Sequence, residues 1–127
     1  MIFYRRFIME QEEFKKLSAN LESEEAKYVE TILEKMPLCD VVIADDSFLM
    51  GLYYDEKTMK APQAIFMYTG EMSKFLIKEA EELGVLYPLK FVINIASGIK
   101  DDGFINEKHY ALIATIYTQF VKKYKRV

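Results

Sequence analysis

Asp45 and Asp46 stand side by side between two apolar runs, Val41-Val42-Ile43-Ala44 and Phe48-Leu49-Met50-Gly51-Leu52-Tyr53-Tyr54. Paired carboxylates at a strand end can hold a divalent cation or share general acid–base work. They can equally form a polar turn, because aspartate accepts hydrogen bonds from backbone a few residues on. A phosphotransfer centre would need another aspartate at the end of a neighbouring strand. The chain holds no Asp between Asp55 and Asp101, and the strand end expected there reads Phe91-Val92-Ile93-Asn94. A small metal-dependent nuclease or phosphotransfer enzyme built on Asp45, Asp46 and Glu71 is the alternative reading of these residues. Other nucleophiles are sparse. Ser47 has no nearby histidine and sits in no nucleophile elbow. Cys39 is the only cysteine and His109 the only histidine, so neither a thiolate cluster nor a histidine cage can form. Cys39 reads as a small apolar filler beside a buried strand, and His109 as a surface or half-buried side chain. No catalytic residue, metal site or cofactor is assigned.

The elements that must position the acidic pair fit in one domain of 127 residues, half of them hydrophobic. The net charge of -3 argues against general nucleic-acid binding, which needs a basic face. The basic run Lys122-Lys123-Tyr124-Lys125-Arg126 suits a helix C-terminus. No apolar run approaches the roughly 18 residues of a membrane-spanning helix. The start, Met1 to Met9, carries its charge in the middle, unlike a signal peptide. A soluble, cytoplasmic protein without membrane insertion is the expectation.

Helical spacing of Phe14, Leu17 and Leu21, then Tyr28, Ile32 and Met36, predicts helix from about Glu10 to Met36. A break falls near Ser18 to Ser23, with Ser23 as a candidate cap, and Pro37 stops the helix. Residues 1–22 are thus expected to be a helical extension, and residues 23–127 a single domain. Val41 to Ala44 is a strand buried on both faces. Phe48 to Tyr54 is a second, and Gln63 to Tyr68, opened by Pro62, a third. Glu71 to Leu83 is the clearest helix, with Thr69 as candidate N-cap and Gly84 just past its end. Phe91-Val92-Ile93, or the residues just before, form a fourth strand. Ile95 to Ile99 is a short helix, and Asp101-Asp102-Gly103 a turn. Asn106 caps a last helix carrying Tyr110, Ile113, Tyr117, Phe120 and Tyr124. The fold class is α/β: a small mixed sheet of about four strands surrounded by about four helices.

The segment Val42 to Ser47 is similar to the acid pair of response-regulator receivers, but the phosphoacceptor aspartate is missing and only about eighty residues follow, too few for that fold. The wider string resembles the cytoplasmic domain of the FlhB family, the substrate-specificity switch of flagellar and related type III export machines. Members carry a strand, Asn-Pro-Thr-His, and a second strand ending in an Ala-Leu-x-Tyr-Asp-like sequence. Here the counterparts are Asp40 to Ala44, then Asp45-Asp46-Ser47-Phe48, then Gly51-Leu52-Tyr53-Tyr54-Asp55. An Ala-Pro turn and strand match Ala61-Pro62 and Ala64 to Tyr68. Ala80-Glu81-Glu82-Leu83-Gly84-Val85 matches a helix end, Ile95 to Ile99 a short helix, and Ile105 to Tyr110 the start of the last helix. The resemblance covers about Ala26 to Lys123.

The departures sit at the chemistry. Members cut their own backbone between the Asn and the Pro, where the Asn amide closes a succinimide and expels the proline nitrogen. Asp45 replaces that Asn with a carboxylate at neutral pH, Asp46 offers an ordinary secondary amide as leaving group, and Phe48 replaces the imidazole. The loop is also one residue shorter before Gly51. The resemblance therefore implies a non-enzymatic, non-cleaving interaction module that contacts export-apparatus proteins or exported substrates. Asp45, Asp46, Ser47 and Phe48 are its degenerate cleavage-loop positions. Phe48, Leu49, Tyr53 and Tyr54 are candidate partner-binding residues on an expected strand edge.

Overall fold

The computed structural model describes Lys15, Lys16, Ala19 and residues 21–121. Four helices and four strands are found among these residues. In chain order they are α1 (Ser23–Lys35), β1 (Val41–Ala44), β2 (Phe48–Tyr53), β3 (Gln63–Thr69), α2 (Ser73–Glu82), β4 (Leu86–Pro88), α3 (Val92–Ala96) and α4 (Tyr110–Gln119). The expected α/β fold of about four strands and four helices is the one observed.

The sheet order is β3-β2-β1-β4. β1 runs antiparallel to β2 and parallel to β4, so the sheet is mixed. Side chains alternate across each strand. Val42, Ala44, Leu49, Phe66 and Tyr68 enter one core with Val29, Ile32 and Met36, with Met72, and with Leu76 and Ala80 from α2. Val41, Ile43, Met50 and Leu52 enter a second core with Val92, Ile95, Ile113, Ile116 and Tyr117. The result is a three-layer arrangement, with α1 and α2 over one face of the sheet and α3 and α4 over the other.

Gly51 makes the first core possible. A Cβ there would collide with the Phe66 ring and lie 2.6 Å from the Cys39 sulfur. The register between β2 and β3 shifts at Gly51/Leu52, a local irregularity at the same point. The outer edge of β3 is also covered. Tyr28 donates its hydroxyl to the Met67 carbonyl at 2.6 Å, and the Lys35 ammonium donates to the Ile65 carbonyl at 3.2 Å. Farther along, the Ala64 N–H donates to the Gly103 carbonyl, and Gln63 bridges to Phe104. Unpaired edge groups that would otherwise template aggregation are thereby used.

The second of the two placements expected for the fourth strand holds, while the expected helix starts and caps are corrected. The fourth strand is Leu86–Pro88, the residues just before Phe91-Val92-Ile93. Pro88 has no N–H to extend the ladder, and Phe91 turns the chain in the left-handed region at φ 60°, ψ 40°. The short helix therefore begins at Val92, three residues ahead of Ile95. Helix α2 begins at Ser73, not Glu71, and Met72 rather than Thr69 precedes it. Glu22, not Ser23, occupies the position before α1, without a side-chain cap. Asn106 does cap, but it caps a single 3-10 turn, Glu107–His109, by accepting from the Lys108 N–H, and α4 follows at Tyr110. Phe14, Leu17 and Tyr124 lie outside the described residues, as do most of residues 1–22 and the basic run Lys122 to Arg126.

Gly51→Ala is expected to lower stability by about 1–3 kcal/mol through overpacking. Urea unfolding of the two chains measures it, and equal midpoints would contradict the tight fit.

Candidate functional site

The acidic pair occupies the tight connection between β1 and β2. Its geometry is that of a built turn. The Asp45 N–H donates to the Phe48 carbonyl at 3.1 Å, closing the loop. Asp45 Oδ1 accepts from the N–H groups of Ser47 at 3.0 Å and Phe48 at 2.9 Å. Its other oxygen, Oδ2, accepts from the Val92 N–H at 3.3 Å, the first residue of α3. One carboxylate thus shapes the turn and ties it to the start of a helix on the far side of β4. These donors, with the Ser47 N–H first, hold the Asp45 carboxyl below the usual carboxylate range against a smaller opposing effect of burial. On the other side, the Ser73 hydroxyl lies 3.0 Å from the Ser47 carbonyl and 2.8 Å from that of Gly70. The loop is clamped between α2 and α3. Asp46 and Ser47 are exposed at its tip and Phe48 is half-buried. Among the described residues, no three His, Cys, Asp or Glu side chains come together as a metal site.

A second feature lies at the opposite end of β2. An open groove of about 390 Å³ runs between the Lys60-Ala61-Pro62 turn and α4. Tyr54, Ile113 and Tyr117 form its apolar lining, Tyr110 and Ala114 contribute from α4, and Glu56 and Lys60 set opposite charges on one lip. The floor is braced. The Tyr54 and Tyr117 rings meet edge to face at 6.0 Å, and Asp40 Oδ2 accepts from both the Tyr54 N–H and the Tyr117 hydroxyl. Lys60 lies over the Phe104 ring at 5.0 Å, steadying the turn.

The four residues chosen from sequence as partner contacts separate. Tyr54 lines the groove. Tyr53 and Phe48 are half-buried at opposite ends of β2. Leu49 is 0% exposed and belongs to the core, so it is not a contact residue. The strand is not an edge either, since β1 and β3 pair with it on both sides. The alternation of Phe48 to Tyr54 is compatible with an inner or an outer strand, and only the pairing decides. Sequence reasoning missed the α4 side of the groove. The signal was present in Tyr110, Ile113, Ala114 and Tyr117, which put a large–small–large surface on a helix opposite the Ala61-Pro62 turn. Burial raises the Cys39 thiol to about 12, with the Asp40 charge adding to it, so it is protonated and unreactive at neutral pH. His109 is half-buried, with Nε2 shielded from water and no hydrogen-bond partner.

No family model matches the sequence, and no curated protein is detectably similar to it. Solved structures do match. The cytoplasmic domain of FlhB from Shewanella putrefaciens aligns over 75% of this chain and 80% of that domain, with a TM-score of 0.60 and 18% identity. An EscU C-terminal domain carrying an Asn-to-Asp mutation aligns over 79% of this chain and 94% of that one, with a TM-score of 0.65 and 16% identity. An EscU C-terminal domain carrying a Pro-to-Ala mutation aligns over 72% and 90%, with a TM-score of 0.59 and 16% identity. The chain has the fold of an FlhB-type cytoplasmic domain.

Within this FlhB-type fold the resemblance sets Asp45-Asp46-Ser47-Phe48 at the Asn-Pro-Thr-His segment, and those residues form the β1–β2 turn. Both Asp45 oxygens are held by backbone N–H groups there. No described helix is long and apolar enough to cross a membrane.

Asp45 has a depressed carboxyl pKa in the folded chain, so its stabilising effect is present above the unfolded value of about 3.9 and is lost as pH falls through that value toward the folded one. Asp45→Ala is expected to cost about 1–2 kcal/mol at pH 7. The difference between the two chains should shrink between about pH 5 and pH 3. Denaturant unfolding across that range checks both, and a pH-independent difference would remove the carboxylate from the account.

Proposed function

We propose that this chain is a non-enzymatic interaction module of a type III or flagellar export system, a switch-type domain that no longer cleaves itself. The observation that carries the proposal is the agreement of fold with FlhB and EscU domains, together with a rebuilt β1–β2 turn. In the family resemblance the reacting Asn side chain must swing onto its own carbonyl carbon. Asp45 is a carboxylate whose two oxygens already accept three backbone N–H groups. Swinging it would break those bonds, and the amide of Asp46 is a poorer leaving group than a proline nitrogen. The groove between Ala61-Pro62 and α4 is the surface assigned to the partner. It is apolar, braced from beneath and rimmed by both charge signs, which suits a short apolar segment of an exported subunit or export-apparatus protein with flanking charges. The chain is taken to act in the cytoplasm, where export substrates are received.

Two expected outcomes follow. The purified chain stays a single band on a denaturing gel after prolonged incubation at neutral pH. Two fragments joining at Asp45-Asp46 would overturn the non-cleaving assignment. Purified export-gate cytoplasmic domains and exported rod, hook or needle subunits from the same organism bind the chain measurably by calorimetry. Ala114→Glu, at an exposed groove position, weakens that binding about tenfold or more while leaving the melting temperature unchanged. Failure of every such protein to bind would reject the export role.

A further inference from the structure

The two edges of the sheet differ. At β3 the outward groups are taken by Tyr28, Lys35 and the Gly103 segment. At β4 they are not. The Val85 carbonyl accepts from the Val42 N–H and the Leu89 N–H donates to the Ala44 carbonyl, so residues 85, 87 and 89 turn their backbone toward β1. Backbone direction alternates along a strand, which points the Leu86 N–H, the Leu86 carbonyl and the Pro88 carbonyl away from the sheet. Among the described residues none of these three groups has a hydrogen-bond partner. Leu86 and Tyr87 are half-buried and Pro88 is exposed, so the rim of the strand is apolar.

Just beyond this edge the chain is both strained and apolar. Phe91, three residues after Pro88, holds φ 60° and ψ 40°, a left-handed conformation uncommon for a bulky side chain. It is 69% exposed, more than any other large apolar residue described, and Ile93 follows at 56%. Neither side chain belongs to either core. A glycine would hold that backbone without strain, so the fold gains nothing from a phenyl ring there. Strain of this kind gathers where a surface has to bind. Charge is also laid out along the edge. Lys90 is exposed past its far end. Before its start stand the exposed Glu81 and the C-terminal end of α2, where carboxylate and helix dipole are both negative.

We infer that the β4 edge is a strand-addition site: an extended segment of a partner protein pairs antiparallel with Leu86–Pro88 and rests an apolar side chain on Phe91. The residue opposite Leu86 exchanges two backbone hydrogen bonds with it, and the residue opposite Pro88 donates its N–H to the Pro88 carbonyl. The N-terminal side of the segment then meets Lys90 and its C-terminal side meets Glu81. The complementary sequence is therefore alternately apolar, acidic before the paired residues and basic after them. A second copy of this chain fits less well. Leu86 would exchange two bonds with its own counterpart, but Pro88 would face Gly84, whose N–H already donates to the Glu81 carbonyl at 3.0 Å. The site is separate from the α4 groove, whose lining holds no residue of β4 or α3, and it does not depend on what that groove binds.

The test is an NMR titration of the full chain with the acetylated and amidated peptide Glu-Leu-Thr-Val-Thr-Val-Lys-Lys, and with the peptide Lys-Lys-Leu-Thr-Val-Thr-Val-Glu, in which the charged ends are exchanged. At millimolar concentration of the first peptide the Leu86 amide signal moves and its exchange with solvent slows about tenfold or more. The signals of Ile113 and Tyr117 in the groove stay in place. The second peptide binds about threefold or more weakly. Phe91→Gly weakens binding of the first peptide about fivefold or more without lowering the urea midpoint, because it relieves the backbone as it removes the ring. Phe91→Asn, also at ease in the left-handed region, repeats the test should that chain not fold. An unmoved Leu86 amide, equal binding of the two peptides, or unaltered affinity in the Phe91 variants overturns the inference. A concentration-dependent dimer that protects Leu86 without peptide overturns it too, by giving the edge to a second copy.

Discussion

Strand β1 has four residues, Val41 to Ala44, and all four are buried. It joins an antiparallel neighbour on one side to a parallel one on the other, and its alternate side chains feed the two cores. Fully burying a Val or Ile is worth about 1.5–3 kcal/mol, so this short strand contributes to both halves of the molecule at once. No other described strand is buried over its whole length. β2 comes closest, but its ends are half-buried and its middle contains the glycine that the Phe66 ring requires. What happens at the two ends of β1 therefore decides how the rest is placed.

Each end is fixed by an aspartate. At the start, Asp40 binds the Tyr54 backbone and the Tyr117 hydroxyl, so the first residue before β1 also fixes the floor of the α4 groove. At the finish, Asp45 shapes the turn into β2 and holds the first N–H of α3. The left-handed Phe91 lies directly before that bonded N–H, at φ 60° and 69% exposed. Such a conformation costs an ordinary residue about 1–2 kcal/mol, and the bond to Asp45 is part of what offsets it. Asp45 thus joins β1, β2 and α3 through one carboxylate.

The strands were legible because apolar runs of four to seven residues bounded by Asp, Pro and Gly leave few alternatives. The core stripe of α2 was legible for a similar reason, since Met72, Phe75, Leu76 and Ala80 recur at helical spacing. The fourth strand was placed only approximately. Leu86-Tyr87-Pro88 and Phe91-Val92-Ile93 are both strand-like, and only the parallel pairing of Leu86–Pro88 with β1 distinguishes them. The start of α2 was misjudged by two residues, because the chain runs through a turn from Gly70 to Met72 that the Ser73 hydroxyl ties to Gly70 and Ser47. The site was half legible. Tyr54 stood out as an aromatic at a strand end. Leu49 was misassigned because a short apolar strand does not declare which neighbours it will have, and the Ala61-Pro62 groove needed α4 laid beside it to exist.

The two faces of the sheet then differ in kind. On the α1–α2 side the helices lie over a continuous core, the β3 edge carbonyls are taken by Tyr28 and Lys35, and Glu79 is withdrawn from water. On the α3–α4 side the covering is incomplete. α3 spans only five residues, and α4 stands away from the Ala61-Pro62 turn far enough to leave an open apolar groove. Apolar surface left open over a braced aromatic floor is unfavourable in an isolated molecule and useful in one that receives a partner. The asymmetry follows from the lengths of the covering helices: a five-residue α3 and an α4 set apart from the Ala61-Pro62 turn leave open the face that the two longer helices close on the other side.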